Sequence, residues 1–135
     1  INIRAYCPNC HEKVFKLKWQ IYLKTKHDMG FIKVNEIRPR EIVPGFHGRF
    51  VHSANITIAY WDIRKGSSIP VHHHVHEMIV NVIEGTLELT IDTETQVLEA
   101  GMAAVIPSNI PHTATGITDC KVLDVFHPVR PEYSN

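Results

Sequence analysis

The chain has 135 residues, of which 44% are hydrophobic and 21% are charged, and this composition is typical of one folded globular domain. The 14 basic and 14 acidic side chains give a formal net charge of zero, which excludes a surface field that would attract nucleic acid or an anionic membrane. No apolar run approaches the roughly 20 residues that cross a bilayer, and the N-terminus carries no secretory signal. We therefore expect a cytoplasmic protein that binds neither nucleic acid nor membrane.

Residues 1–30 differ in composition from the rest and are predicted to be an N-terminal extension. Within them, Val14–Leu23 alternates between apolar and other residues well enough to favour a strand. Cys7 and Cys10 begin a C-x-x-C-H pattern, which can accept a c-type haem. A zinc ribbon would need a second cysteine pair, and only Cys120 remains. We interpret the pattern as an unspecialised N-terminal piece.

Residues 31–135 have the sequence of an all-β domain. Short runs rich in Val, Ile, Thr and aromatic residues alternate with turn signals such as Pro44-Gly45 and Glu84-Gly85. Many short strands at this spacing predict a sandwich or barrel, and no long amphipathic helix is apparent. The predicted strands are Phe31–Ile37, Asn55–Ile63, Glu77–Ile83, Thr86–Ile91, Thr95–Leu98, Met102–Ile106 and Cys120–Phe126.

The most informative stretch lies between Gly66 and Gly85, where four histidines fall inside five residues. They are His72, His73, His74 and His76. Histidine is seldom fully buried without a partner, and it is the commonest metal ligand near neutral pH. The alternation of a strand places His72 and His74 on one face, so both can point into one cavity. We predict the first half of a metal site here, with His73 and His76 exposed or supporting.

A second informative stretch, from Gly101 to Gly116, carries one further histidine. Pro107 follows Gly101 after five residues, and His112 lies five positions beyond that proline. Pro111 restricts the backbone just before the histidine. A lone histidine here would more often be a satisfied structural side chain. Beside the first cluster, however, His112 is predicted to complete a site of three imidazoles across the mouth of the barrel.

The first of these stretches resembles the first motif of the cupin superfamily, which consists of small jelly-roll β-barrels. That motif runs glycine, five residues, His-x-His, three or four residues, glutamate, six residues, glycine. The positions that fit are Gly66, His72, His74 and Gly85. Met78 falls where cupins usually have the acid.

The second stretch resembles the second cupin motif. Gly101, Pro107 and His112 fit the motif, whereas Asn109 replaces its second glycine and Gly116 replaces its asparagine. The resemblance covers about residues 31–135. It implies an all-β, double-stranded β-helix (jelly-roll) cupin barrel that follows the N-terminal extension, and a metal site built from the three histidines.

The fourth ligand position leaves two interpretations open. Met78 either lines the pocket beside a three-histidine site, or a shifted register lets Glu77 or His76 supply a fourth donor. Strand alternation sends Glu77 to the opposite face, which favours the first interpretation. A thioether suits Mn²⁺ or Fe²⁺ poorly. We expect one divalent metal ion, with zinc or nickel favoured and iron, manganese or copper as alternatives.

The C-terminal run from Leu123 to Tyr133 resembles the tail of small cupins similar to the pectin-degradation protein, which help to linearise unsaturated uronates. Those proteins carry an aspartate and an arginine six residues apart, and Asp124 and Arg130 match that pair. The resemblance implies that both are catalytic: a carboxylate can move a proton, and a guanidinium can hold a substrate carboxylate. The alternative is an Asp–Arg tether that closes the barrel.

Three function classes remain open at this point. The resemblance favours a metal-dependent isomerase or lyase that binds a small sugar acid, uronate-like, or a related carbonyl compound. A quercetinase-type dioxygenase would need a redox metal and apolar walls, and a non-catalytic sugar-binding or sensor module would show no turnover. The candidate apolar walls are Ile58, Tyr60, Trp61, Ile106 and Phe126. Because an open jelly roll has edge strands that need cover, we also expect a homodimer.

Overall fold

The computed structural model describes residues 30–134. The predictions for residues 1–29, namely the strand Val14–Leu23 and the Cys7–Cys10 motif, lie outside the described residues. From Lys33 onward the described chain forms one compact unit of β-strands and two short 3₁₀ helices. No helix among the described residues is long and apolar enough to cross a membrane.

Ten strands in the described residues form two antiparallel sheets. The strands are β1 (Arg40–Val43), β2 (Phe46–His52), β3 (Thr57–Ile63), β4 (Ser68–His72), β5 (Glu77–Glu84), β6 (Thr86–Ile91), β7 (Glu94–Glu99), β8 (Ala103–Ile106), β9 (His112–Gly116) and β10 (Cys120–His127). The six-stranded sheet has the order β1-β2-β3-β10-β5-β8, and the four-stranded sheet has the order β4-β9-β6-β7. This arrangement confirms the predicted all-β jelly-roll fold.

The core lies between the inner faces of the two sheets. Alternation along β3, β5 and β10 buries every second residue, because successive strand side chains point to opposite faces. Phe126, Leu87 and Ile106 are among the most completely buried side chains. Phe126 at the end of β10 and Ile106 at the end of β8 both pair with Met78 near the start of β5, beside the link that carries His74.

Most of the predicted strands are confirmed, and Thr86–Ile91 coincides with β6. The strand predicted at Phe31–Ile37 is wrong, since this segment contains only a 3₁₀ helix at Val34–Glu36. Phe31 is fully exposed, and the exposed Lys33–Glu36 ion pair spans one turn, so apolar composition alone did not make a strand. The prediction also lacked β1, which has only four residues, and β2, β4 and β9, which contain Gly, Pro, His or small polar residues.

Two turns show why the residues at two motif positions suit the backbone of this fold. Gly85 has a φ of +83°, and a Cβ at this position would collide with the backbone oxygen of Asp119, so only glycine fits. Asn109, which replaces a motif glycine, has a φ of 63°. Asparagine tolerates this left-handed region better than most residues, so the replacement preserves the turn that precedes His112.

Candidate metal centre

Three histidines from two segments meet at one end of the barrel. His72 ends β4, His74 lies in the link between β4 and β5, and His112 begins β9. His72 and His112 are directly paired across the two strands, and their rings are 4.3 Å apart. One nitrogen from each of the three rings lies within 4.8 Å of the others, so the group could hold a metal ion.

The alternation that places His72 and His74 on one face and Glu77 on the other is seen in the burial of these residues, although the strand itself is interrupted. His73 and Val75 are exposed, whereas His76, Met78 and Val80 are buried. The strand ends at His72 and the next begins at Glu77, so the chain crosses from one sheet to the other between them. The histidines therefore lie on a connection between the sheets rather than on a continuous strand.

The backbone fixes which nitrogen of each ring faces the centre. Nδ1 of His72 donates to the carbonyl of Pro70 at 2.8 Å, and Nδ1 of His112 donates to that of Ile110 at 2.8 Å. Nδ1 of His74 donates to the carbonyl of His76 at 2.9 Å. Because a carbonyl only accepts, each Nδ1 carries the proton and each Nε2 keeps its lone pair. Such hydrogen bonds are the usual support of metal-binding histidines.

Burial keeps two of these rings neutral. It lowers the pKa of His74 from 6.5 to about 4, with the positive charge of Arg130 contributing. Burial also lowers the pKa of His112. Nε2 of His74 and Nε2 of His112 are buried without a hydrogen-bond partner among the described residues. Buried polar atoms are almost always paired, so these two lone pairs fit a metal ion as the missing partner.

Met78, at the predicted fourth position, faces the interior of the barrel. This side chain is 5% exposed and lines the same cavity as the three histidines. Glu77 lies on the outer face of β5, where its carboxylate is 3.9 Å from His127 Nδ1. The register of β5 points Glu77 away from the barrel interior and from the three histidines. His76 is buried beside His74 but does not line the cavity.

Asp124 lies in the same cavity, on the inner face of β10. Its Oδ2 accepts a hydrogen bond of 2.9 Å from Nε1 of Trp61, and its Oδ1 is buried without a partner among the described residues. Burial raises the pKa of Asp124 from 3.8 to about 7, although the Trp61 hydrogen bond and the charge of Arg130 oppose this rise. The carboxyl is therefore able to hold or release a proton near neutral pH.

Arg130 follows β10 and also lines the cavity. Its guanidinium lies 4.7 Å from the ring centre of Phe126 and 4.3 Å from that of Tyr133. Its Nε donates to Glu132 at 2.7 Å. Arg130 is thus paired with Glu132 rather than with Asp124, and the Asp–Arg tether considered above is not formed. Its other two nitrogens form no hydrogen bond with the described residues.

The cavity that joins these groups is small and otherwise apolar. Its volume is about 50 Å³. Apart from the three histidines, Asp124 and Arg130, it is lined by aliphatic and aromatic side chains and Met78. Of the predicted apolar walls, Trp61, Ile106 and Phe126 line it. Ile58 and Tyr60 do not, because they occupy outward positions of β3, between the buried positions.

Two contacts in this site were missed by sequence reasoning. Trp61 was considered only as an apolar wall, although its indole N–H orients Asp124. Its inward position on β3 was available from strand alternation, but its partner on β10 was not, because the two lie 63 residues apart. Glu132 was not considered at all. The only signal in the sequence was that Glu132 follows Arg130 by two residues. The 3₁₀ helix at Pro131–Tyr133 places the two side chains within hydrogen-bond distance.

Replacing Trp61 with phenylalanine is expected to raise the pKa of Asp124 further. The hydrogen bond from the indole N–H stabilises the carboxylate and so opposes the rise in pKa that burial causes. Without this bond, less opposes that rise. The measurement is a carbon-13 NMR titration of the Asp124 carboxyl in metal-free protein. Phe50→Leu is the control, since Phe50 packs on Trp61 without touching Asp124's hydrogen bond. Equal pKa values in wild type and W61F would contradict the assignment.

The same pKa shift predicts a pH dependence of stability. The native carboxyl holds its proton up to about pH 7, whereas an ordinary aspartate loses it near 3.8. The contribution of Asp124 to the free energy of unfolding is therefore complete below pH 3.8 and is lost as the pH rises to 7. Asp124→Asn in metal-free protein should abolish this decline relative to wild type, as measured by urea unfolding. If the free energy of unfolding changes with pH in the same way in the two proteins, the raised pKa of Asp124 is contradicted.

Comparison with known proteins was made against families, curated sequences and solved structures. The family model described as "Cupin domain" matches residues 59–126. KdgF from Halomonas sp. is similar in structure, with a TM-score of 0.73 and 25% identity over 77% of this chain and 97% of that one. An RmlC-like cupin from Shewanella frigidimarina has a TM-score of 0.74 and 24% identity, over 78% of this chain and 96% of that one, which supports the fold alone.

One curated sequence is also similar. It is the protein named polyketide synthase CurC, from Streptomyces cyaneus, which is 36% identical over 75 residues. The aligned segment is 53% of this chain and 49% of the relative, so the match spans about half the length of that protein. It therefore supports a shared domain rather than a shared activity.

Proposed function

Since this chain belongs to the cupin domain family, we propose that it is a metal-dependent isomerase or lyase that acts on a small sugar acid or a related carbonyl compound. His72, His74 and His112 would hold a divalent ion through their Nε2 atoms. When bound there, the ion would supply Lewis-acid polarisation of a substrate hydroxyl or carbonyl. Three neutral imidazoles favour zinc or nickel over the harder metals.

One observation carries the proposal. Three histidines converge beside a carboxyl whose pKa is raised to about 7 and beside the guanidinium of Arg130, all lining one cavity. A general acid or base works best when its pKa lies near the working pH. Asp124 can thus take a proton from one atom of a substrate and return it to another. Such a transfer without net change is what an isomerisation requires.

The position of Arg130 favours a negatively charged substrate. Its guanidinium is held by Glu132 and by two aromatic rings, so little side-chain freedom remains to be lost on binding. A fixed guanidinium binds a carboxylate well. The resemblance of the tail to uronate-processing cupins agrees with this charge preference.

The size of the cavity limits the substrate. A volume of about 50 Å³ accommodates only a few water-sized groups, so the reacting end of a sugar acid enters and the rest stays at the mouth. The apolar walls are the observation that favours a dioxygenase as the second candidate. A three-ring flavonol would leave a larger part of its structure outside this space than a sugar acid would. The size therefore argues for the smaller, more polar substrate.

The test is a turnover assay with metal-loaded protein and an unsaturated uronate, followed by NMR. We expect conversion to a linear keto acid, no oxygen uptake, and a KM raised at least about tenfold in Arg130→Gln, because a charge-assisted hydrogen bond is lost. Oxygen consumption with a redox metal would indicate the dioxygenase. Binding of the uronate without turnover would indicate a sensor module, and neither binding nor turnover would reject the sugar-acid class.

A further inference from the structure

A short turn after β10 carries Arg130 to the cavity. We call residues 130–134 the C-terminal turn, and it contains the 3₁₀ helix Pro131–Tyr133. Among the described residues, both backbone–backbone hydrogen bonds of this turn join two of its own residues. The ion pair between Arg130 and Glu132 is internal as well. The position of the turn on the barrel therefore depends on contacts that barrel side chains make with it.

Three barrel side chains make polar contacts with the C-terminal turn. Oγ1 of Thr57 accepts a hydrogen bond of 2.8 Å from the backbone N–H of Arg130. The carbonyl of Tyr133 accepts hydrogen bonds from Nη2 of Arg40 at 2.7 Å and from Nε2 of His52 at 3.3 Å. Within the described part of the chain, these are the only hydrogen bonds that join the turn to the barrel.

The hydroxyl of Thr57 is used in both directions. Thr57 is fully buried at the start of β3, and its Oγ1 lies 2.8 Å from Nδ1 of His52, which ends the paired strand β2. Because Nε2 of His52 donates to a carbonyl, Nδ1 of the neutral ring accepts the hydroxyl proton. Thr57 thus donates to His52 and accepts from the N–H of Arg130. Valine has the same shape as threonine but can form neither bond.

Aromatic packing anchors the other end of the C-terminal turn. Tyr133 is 8% exposed, its ring stacks on that of Phe50 at 4.3 Å, and two further aromatic rings lie against it. The turn could still pivot about this anchor, which would move the residue at its start. The bond from Thr57 prevents this movement at Arg130, the residue whose guanidinium lines the cavity.

From these contacts we propose that Thr57 and His52 are positioning residues, which fix Arg130 where, in the proposed function on which this rests, its guanidinium binds a substrate carboxylate. His52 acts on both ends of the turn, since it contacts Tyr133 directly and Arg130 through Thr57. A group that is held in place before binding loses little freedom on binding, so this fixation strengthens the affinity for an anion. Thr57 and His52 therefore set substrate affinity and take no part in proton transfer.

The test compares Thr57→Val with Thr57→Ser in the zinc-loaded full chain, with an unsaturated uronate as substrate. Valine removes both hydrogen bonds and should raise KM about 3- to 10-fold, while kcat and zinc content stay at the wild-type values. Serine keeps the hydroxyl and should restore the wild-type KM. Thr90→Val is the matched control, because the hydroxyl of Thr90 bonds to that of Thr95 at 2.7 Å on the other sheet. Its KM should equal that of wild type.

A second readout does not depend on activity. Hydrogen exchange of the Arg130 amide, followed by NMR in metal-free protein, should be at least about tenfold faster in Thr57→Val than in wild type. Thr57→Ser should exchange at the wild-type rate. The proposal is overturned if the Arg130 amide exchanges equally fast in wild type and Thr57→Val. It is also overturned if Thr57→Val raises KM no more than Thr90→Val does.

Circular dichroism checks that each variant folds. If Thr57→Val does not fold, His52→Ala makes the same comparison, because it removes the acceptor of the Thr57 hydroxyl and one donor to Tyr133. A wild type that neither binds nor converts the uronate would reject the proposed function and, with it, this role of Thr57. A wild type that converts the uronate with the same KM as the variant would reject this role alone and leave the proposed function standing.

Discussion

His112→Ala is expected to abolish metal binding. The imidazole of His112 is the contribution of β9 to the centre, and its Nε2 is buried without another partner among the described residues. Two imidazoles would remain, that of His72 at the end of β4 and that of His74 in the link after it, and two are too few to hold an ion tightly. Losing a supporting group usually weakens a metal site about 10–100-fold, and losing a ligand should cost more. The measurement is metal content by elemental analysis after dialysis against a weak chelator.

His73→Ala is the matched control for that experiment. His73 belongs to the same histidine cluster, but it is exposed and is absent from the group that converges on the centre. This variant should keep the metal content of wild type. A thermal melt adds a second readout, because added zinc should raise the melting temperature of wild type and His73→Ala but not that of His112→Ala. Full metal occupancy in His112→Ala would contradict the assignment.

Asp124→Asn is expected to lower kcat by about 10²–10⁴-fold while leaving the metal in place. Asparagine has the shape of aspartate and can still accept the hydrogen bond from Trp61, which is 2.9 Å long in wild type. It cannot take up a proton from a substrate. The loss should therefore appear in kcat rather than in metal content, and the pH profile of the residual activity should lose the ionisation near 7.

The control for Asp124→Asn is Asp62→Asn. Asp62 lies on β3 of the same sheet, but on the outer face, where it pairs with Arg49. Its substitution removes the same charge without touching the cavity and should leave turnover unchanged. Wild-type kcat in Asp124→Asn would show that the carboxyl is only a structural partner of Trp61. Loss of bound metal in that variant would show instead that Asp124 supports the centre.

The sequence was sufficient to predict the strands wherever apolar and polar residues alternate strongly along them. β6 is predicted to the residue, and β5 and β10 nearly so, because their inward positions are all apolar apart from Asp124. It was insufficient at β2 and β9, where Gly, His and Ala residues interrupt those that favour strands. These strands form because neighbouring strands pair with them, and pairing partners far apart in the chain are not readable from local composition.

For the candidate site, motif spacing predicted that His72, His74 and His112 would lie together, and they do. Strand alternation predicted that Glu77 would point away from them, as it does. What spacing could not supply was the support around each group. The carbonyls that fix the three Nδ1 protons depend on local backbone angles, and the Trp61–Asp124 bond depends on the pairing of β3 with β10.

Anomalous diffraction from a crystal of zinc-loaded protein tests the central claim most directly. One zinc ion is predicted, with Nε2 of His72, His74 and His112 each about 2.0–2.1 Å from it. An ion bound to other residues, or a zinc-soaked crystal in which these three nitrogens have no ion between them, would contradict the account.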